Sequence, residues 1–307
     1  MGANFGSAVR GSGGVTAMPP SYFEKIGNVN VWAVDGDAYS GCPGAQEHLD
    51  PAFYQPKMDP HGRAFLARMK VSVDDLIELP DPVTDMLLRE FVGFWSAAEK
   101  VSSLGLMVKR GLILWGPPGS GKTSALQKMA QHMIREKGGV VVMADRPDVT
   151  IQCLHMLRKV EPTRPLIVVY EDLDALVERW GESDYLSLLD GEAQISNVVN
   201  VATTNYPERL DRRFVDRPGR FDRITEVGMP SIEARLAYLS AKAPDVDELT
   251  RQRWARKSEG YSIAHLRELI VATQALGEDA DSTLERLNEM REMLSNSEHS
   301  GSKRIGL

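Results

Sequence analysis

The chain has few cysteines and no long apolar run, and both features exclude classes of protein. Only two of its 307 residues are cysteines, Cys42 and Cys153, which argues against a disulfide-stapled secreted domain and favours a reducing cytoplasm. The apolar runs are far shorter than the roughly 20 residues that cross a bilayer as a helix. The glycine-rich first twenty residues lack the apolar core of a signal peptide. We therefore expect a cytoplasmic protein that does not act in a membrane.

Positive charge is also scarce. The chain has 36 Lys and Arg against 43 Asp and Glu, which gives a net charge of −7. The net charge therefore does not indicate direct binding to nucleic acid, although a local basic surface, such as one in the central channel of a ring-shaped oligomer, is compatible with it. Cys42, His48 and His61 do not have the spacing of a common zinc site. A structural zinc protein is not expected either.

Composition and periodicity divide the chain into five segments. Residues 1–20 are rich in Gly, Ser and Pro and are expected to be disordered, and residues 21–72 form a small N-terminal element with too few apolar residues for a large core. Residues 73–230 alternate short apolar runs with helical patterns, whereas residues 231–295 contain only helical patterns. Residues 296–307 are expected to be a disordered tail.

The segment of residues 73–230 predicts a doubly wound α/β fold. Its apolar runs lack the alternation of a half-exposed strand, as expected of parallel strands covered on both faces, and helical patterns separate them. The expected strands are Gly111–Trp115, Gly139–Ala144, Leu166–Tyr170, Val198–Ala202 and Ile224–Val227. We therefore expect a five-stranded parallel sheet with a small C-terminal helical lid and a short N-terminal appendage.

A phosphate-binding loop follows the first of these strands. The string GPPGSGKT matches G-x-x-x-x-G-K-[ST] in full. Its glycines let backbone N–H groups point at phosphate oxygens, and the next helix adds its positive dipole end. Lys122 is expected to reach the β- and γ-phosphates, and the Thr123 hydroxyl to ligate Mg²⁺. The residues expected to bind Mg-ATP here are Gly116, Pro117, Pro118, Gly119, Ser120, Gly121, Lys122, Thr123 and Ser124.

Two carboxylates and an amide follow two further strands. A site that hydrolyses Mg-ATP needs one carboxylate to hold the water shell of Mg²⁺ and another to accept a proton from the attacking water. By register, Glu171 takes the magnesium side and Asp172 faces the water, which reverses the usual Asp-Glu order. Because Asp is one methylene shorter than Glu, the attacking water must come closer to Asp172 or hydrolysis slows, so slow ATP turnover is an open alternative. Asn205, after the fourth strand, is expected to orient the water.

Together these motifs resemble the AAA branch of the AAA+ ATPases over about Leu79–Leu276. The resemblance also covers the string RPGRFDR, and it implies that Arg217 and Arg220 act as arginine fingers on the nucleotide of a neighbouring subunit. The working form that it implies is a homo-oligomeric ring, usually a hexamer. It further implies adenine contacts from Asp75, Leu76 and Ile77 and a lid contact from the segment that contains Ala264.

The Glu-Asp order and the string ATTN look most like the mitochondrial Rieske-protein translocase branch and the stand-alone AAA proteins of bacteria and phages. Threading members of the family carry an aromatic tooth after the second strand, and Asp145–Val149 has no aromatic residue. Trp180 and Tyr185 are candidates to line a pore instead, and the alternative for Trp180 is burial against the lid or a subunit interface. Three functions stay open: a remodeller of a protein or protein–nucleic-acid partner, a replication or recombination loader, and a nucleotide-gated scaffold with little turnover.

Overall fold

A computed structural model of the chain describes residues 15–17, 31–35, 38–42, 47–70, 79–190, 195–214 and 219–301. Three short strands, β1 (Val15–Ala17), β2 (Val31–Asp35) and β3 (Ala38–Cys42), form an antiparallel sheet of their own. The first of these strands lies inside the segment that was expected to be disordered.

The second sheet has seven strands and contains all five predicted ones. These are β4 (Phe53–Met58), β5 (Ala64–Arg68), β6 (Lys109–Trp115), β7 (Val140–Met143), β8 (Leu166–Tyr170), β9 (Val198–Thr204) and β10 (Arg223–Glu226). Their order is β10-β6-β9-β8-β7-β4-β5, and every neighbouring pair is parallel except β4 with β5. The predicted doubly wound α/β fold is confirmed.

The hairpin of β4 and β5 extends this sheet beyond the five predicted strands. Phe53 and Tyr54 are both buried and pack into the cores on opposite faces of the sheet. Gly62, with φ +80°, closes the turn, in which Asp59 accepts the backbone N–H groups of His61 and Arg63. These residues were assigned to the N-terminal element because two short strands contain few apolar residues. The tertiary pairing of β4 with β7 joins them to the main sheet.

Buried polar groups also tie the residues before the hairpin to the main domain. The Glu161 carboxylate is buried and accepts the Leu49 N–H at 2.8 Å, while Arg164 donates to the Leu49 carbonyl at 2.8 Å. Arg164 also pairs with Glu161 at 3.1 Å. Both backbone groups of Leu49 are thus satisfied by the α/β domain.

Helices cover both faces of the sheet. Helices α1 (Pro82–Ser96) and α3 (Lys122–Lys137) pack on one face, and α4 (Pro147–Val160) and α6 (Glu182–Asp190) pack on the other. The short helices α2 (Ala98–Ser103) and α5 (Leu173–Trp180) follow α1 and β8. Ala97 separates the two helices, because it caps α1 and precedes α2.

The lid is helical, as expected. Its helices are α7 (Ile232–Lys242), α8 (Glu248–Lys257), α9 (Ile263–Ile270), a π-helical turn (Val271–Ala275) and α10 (Ala280–Gly301). They enclose a third core that contains Leu239, Trp254 and Leu266. Helix α10 continues past the predicted start of the tail at residue 296. Within the described part of the chain, no helix combines the length and the apolar character needed to cross a membrane.

Candidate functional site

The phosphate-binding loop is packed tightly between the sheet and the lid. A Cβ added to Gly116 would lie 2.2 Å from the carbonyl oxygen of Val227, which follows β10. Gly119, with φ +75°, abuts the lid, because its Cβ would lie 2.7 Å from the Cβ of Ser262. Side chains do not fit at either position, so the glycines of the motif set both the loop conformation and its contact with the lid.

Lys122 begins α3 and turns its ammonium group back toward the loop. Its Nζ donates to the carbonyl oxygens of Gly116 at 2.8 Å and Pro117 at 3.1 Å and to Oδ1 of Asn205 at 2.6 Å. Burial lowers the pKa of Lys122, against the opposing effect of the charges of Asp172 and Asp174. The structure thus brings Lys122 and Asn205 together.

The two predicted carboxylates follow β8 directly. Asp172 has a left-handed backbone (φ 49°, ψ 58°), and its N–H donates to Oγ1 of Thr203 at 3.0 Å. The Asp172 side chain is exposed. Desolvation of the Glu171 carboxyl, followed by the charge of Asp172, raises the pKa of Glu171. A cation beside Glu171 would lower this pKa and offset both effects, which suits this residue to the magnesium side.

Three residues that the sequence interpretation did not select complete this edge of the sheet. Thr203 bonds Asp172, and the buried Thr204 hydroxyl donates to Oδ1 of Asp174 at 2.6 Å. A signal was present in the sequence, because two hydroxyl residues end an otherwise mostly apolar strand and a second Asp follows two residues after Asp172. Sequence alone does not show that Thr204 and Asp174 meet.

A cavity of about 220 Å³ lies beside the loop, between α1, α3 and the lid. Its lining includes Ser120, Gly121, Ser124, Lys128, Thr84 and Ile263. The Oγ of Ser120 is buried and has no hydrogen-bond partner among the described residues. An added Cβ at Gly121 would meet nothing within 4 Å. An open space beside an unpaired hydroxyl, in front of a helix N-terminus, fits a phosphate-bearing ligand.

The structure describes only some of the other residues that were predicted to contact the nucleotide. Pro117, Pro118 and Thr123 are exposed at the loop, and Ala264 is exposed beside Ile263, which lines the cavity. The predicted adenine contacts at Asp75, Leu76 and Ile77 lie outside the described residues, so these contacts stay predictions.

The structure describes only one of the two predicted arginine fingers, Arg220. Arg217 lies outside the described residues. Arg220 is 5% exposed, and its guanidinium donates to the carbonyl of Arg213 in its own chain. Asp222 braces this turn by accepting the N–H groups of Gly111 and Gly219, both at 2.9 Å. To reach a neighbouring subunit, Arg220 would have to leave its contact with Arg213.

The aromatic candidates for a pore lining are packed inward. Tyr185 is fully buried, and its hydroxyl donates to the Asp145 carbonyl. Trp180 is half-buried against the core, and its Nε1 donates to Oδ1 of Asp145 at 3.1 Å. The pore-lining hypothesis is therefore wrong for Tyr185, and Trp180 packs against the core of the α/β domain and not against the lid. Both side chains hold the turn after β7.

A magnesium site at this edge would use few protein ligands. Among the residues that the structure describes, no three His, Cys, Asp or Glu side chains gather as a metal-binding group. One hydroxyl and one carboxylate, with water and phosphate oxygens, are a usual set for Mg²⁺. Thr123 and Glu171 provide that chemistry.

Comparison with known proteins agrees with this geometry. The sequence profile of the AAA family, the ATPase family associated with various cellular activities, matches residues 112–229. The chain is 33% identical over 198 residues to ATPase family gene 2 protein homolog B of Bos taurus, which covers 57% of this chain and 26% of that protein.

Two further relatives are similar. Protein CdcH of Halobacterium salinarum is 27% identical over 207 residues, covering 60% of this chain and 27% of the relative. The ATPase family gene 2 protein of Saccharomyces cerevisiae is 28% identical over 227 residues, covering 68% and 27%. The chain therefore spans about a quarter of the length of these relatives. Its likeness to the Rieske-protein translocase branch stays a prediction.

The loop, the strand-end carboxylates and amide, the seven-stranded sheet and the profile match agree with one another. The chain contains a domain of the AAA family of P-loop ATPases, at residues 112–229.

Proposed function

We propose that this chain binds Mg-ATP at the phosphate-binding loop and hydrolyses it. The observation that carries the proposal is the convergence of Lys122 and Asn205, whose Nζ and Oδ1 lie 2.6 Å apart, beside the strand end with Glu171 and Asp172. A cation, a polar amide and two carboxylates at one sheet edge are the groups that phosphoryl transfer to water requires.

Each side chain has a distinct task in this proposal. Lys122 offsets the negative charge of the β- and γ-phosphates, and Asn205 orients the attacking water. Asp172 accepts a proton from that water as its oxygen bonds to the γ-phosphorus and the bond to the β-phosphate oxygen breaks. Thr123 and, through water, Glu171 would hold Mg²⁺, which neutralises charge on the phosphates when bound.

The proposed biological role is the remodelling of a protein or protein–nucleic-acid partner by a homo-oligomeric ring, expected to be a hexamer. The RPGRFDR string supports it, because Arg217 would supply a finger to the neighbouring site as the family resemblance implies. An arginine finger accelerates hydrolysis by about 10³–10⁵-fold. The cytoplasm is the expected location, since Cys42 and Cys153 are far apart in a chain with no other cysteine.

A nucleotide-gated scaffold is the second candidate, and the residue at the base position favours it. Asp172 has a short side chain on a left-handed backbone, so its carboxylate reaches less far than that of Glu would. A loader of another ATPase onto DNA is a third candidate from the sequence.

Phosphate release measured with and without Mg²⁺ and DNA separates these candidates. Mg²⁺-dependent turnover that Asp172→Asn stops supports the ATPase. ATP binding without turnover at any protein concentration supports the scaffold, and strong stimulation by DNA supports the loader. An absence of Mg-ATP binding refutes all three.

Complementation tests the ring. Lys122→Ala subunits keep their fingers, and Arg217→Ala subunits keep their loops, so a mixture should recover activity at interfaces that pair an intact loop with an intact finger. Arg217 is the better variant, since the buried Arg220 also supports its own chain. Mixed rings without recovered turnover would contradict trans-acting fingers, and a monomer at high concentration with ATP would contradict the ring.

A further inference from the structure

The side chain of Thr204, the residue before Asn205, makes two hydrogen bonds. Thr204 ends β9 and is fully buried. Its Oγ1 accepts the backbone N–H of Tyr206 at 3.0 Å and donates to Oδ1 of Asp174 at 2.6 Å. One hydroxyl thus connects the chain just after Asn205 to an acidic side chain on α5. Serine can make both bonds, and valine, which has the same shape, can make neither.

These bonds fix the backbone from which the Asn205 amide projects. The residue before Asn205 belongs to the buried strand β9, and the N–H after it is held by Thr204. Asn205 Oδ1 reaches Lys122 Nζ at 2.6 Å from this position. Rotation of the backbone at residue 205 would move the amide away from the phosphate-binding loop. The half-buried Asp174 anchors the hydroxyl that prevents this rotation.

We infer that Thr204 and Asp174 form a positioning pair, the Thr204–Asp174 clamp, which holds the Asn205 amide in place for the hydrolytic step. The inference rests on the proposed ATPase function. Neither clamp residue touches the nucleotide, so the pair acts on hydrolysis by positioning Asn205, while the charge of Asp174 also acts on Lys122. Because backbone N–H groups and Lys122 bind the phosphates, loss of the clamp should reduce turnover more than affinity.

The primary test replaces the hydroxyl and then restores it. Thr204→Val should lower kcat at least about tenfold, because a hydrogen bond to a charged group is lost and Asn205 is released. The Kd for Mg-ATP should stay within about threefold of the wild-type value. Thr204→Ser should restore kcat to within about threefold. Thr150→Val is the matched control, since the buried Thr150 hydroxyl also makes a side-chain hydrogen bond, to the Arg146 carbonyl at 2.9 Å at the start of α4.

Variants of Asp174 test the other half of the pair and serve if Thr204→Val does not fold. Asp174→Asn keeps an acceptor oxygen for Thr204, whereas Asp174→Ala removes it, so kcat should fall more in Asp174→Ala. The double variant Thr204→Val with Asp174→Ala should be no slower than the worse single variant, because both act through one bond.

The outcomes separate the two proposals. Wild-type protein that binds ATP without hydrolysing it refutes the proposed hydrolysis and the clamp with it. Wild-type turnover together with an unchanged kcat in folded Thr204→Val, or in Asp174→Ala, refutes only the clamp. Equal losses in Thr204→Val and Thr150→Val also refute the clamp, since they would show a general loss of stability. Additive effects in the double variant would show that the two residues act independently.

Discussion

Replacing Lys122 by methionine is expected to abolish tight ATP binding and to leave the fold intact. Removal of one partner from a buried, hydrogen-bonded charge pair costs about 2–5 kcal/mol. In this structure Nζ already has three oxygen partners, on Gly116, Pro117 and Asn205, and must exchange some of them for phosphate oxygens. We therefore expect a loss in the lower half of that range, about 2–3.5 kcal/mol, which corresponds to a Kd about 30- to 300-fold higher.

Titration with a fluorescent ATP analogue measures the affinity, and thermal unfolding of the nucleotide-free protein measures the fold. Burial lowers the pKa of Lys122, so the folded protein disfavours its charge, and this opposes the loss of its three hydrogen bonds; we expect a small change in Tm. Lys137→Met, in the exposed last turn of the same helix, is the control and should change neither quantity. An affinity within threefold of wild type would refute the role of Lys122. A Tm lowered by more than about 5 °C would show that lost binding reflects lost stability instead.

Three further variants test the site. Desolvation of the Glu171 carboxyl and the charge of Asp172 raise the pKa of Glu171, so nucleotide-free Glu171→Gln should be more stable than wild type at pH 7. The difference should vanish below about pH 4, where the carboxyl is protonated in both the folded and unfolded states. An equal difference at pH 4 and pH 7 in thermal unfolding would contradict this. Asp172→Asn should bind ATP but release no phosphate in a turnover assay, and normal turnover there, together with a loss in Glu171→Gln at unchanged Mg²⁺ affinity, would exchange the two roles. Arg220→Ala should lower the free energy of unfolding by about 1–3 kcal/mol, because its guanidinium is buried against the Arg213 carbonyl; an unchanged urea midpoint would show that this contact does not support the fold.

The prediction of the α/β domain from sequence succeeded where the signal is local. Strand β8 was predicted with the same limits that the structure has, and the phosphate-binding loop was placed between a strand and a helix. Short continuous apolar runs and a glycine-rich motif determine the structure of the residues next to them. The hairpin Phe53–Arg68 was assigned to an appendage, because its place in the sheet depends on β7, which is more than 70 residues away in the chain.

The aromatic residues and the arginines show the same limit. Tyr185 is an aromatic residue of the type that can line a pore, but it is buried in the core, where its hydroxyl donates to the Asp145 carbonyl. Arg220 matches a finger motif, yet the turn around Asp222 holds it inside its own chain. A motif specifies which side chains are present, and packing decides which direction each of them faces.

The sequence by itself determined the family, the phosphate-binding loop, the strand-end residues Glu171, Asp172 and Asn205, and the helical lid. These features depend on residue types at short spacings, where backbone conformation follows from neighbouring residues. Only the tertiary structure decided that Thr204 meets Asp174 and that Gly119 abuts Ser262. Those contacts join strands, helices and lid that are distant in the chain, and their distances depend on how whole elements pack.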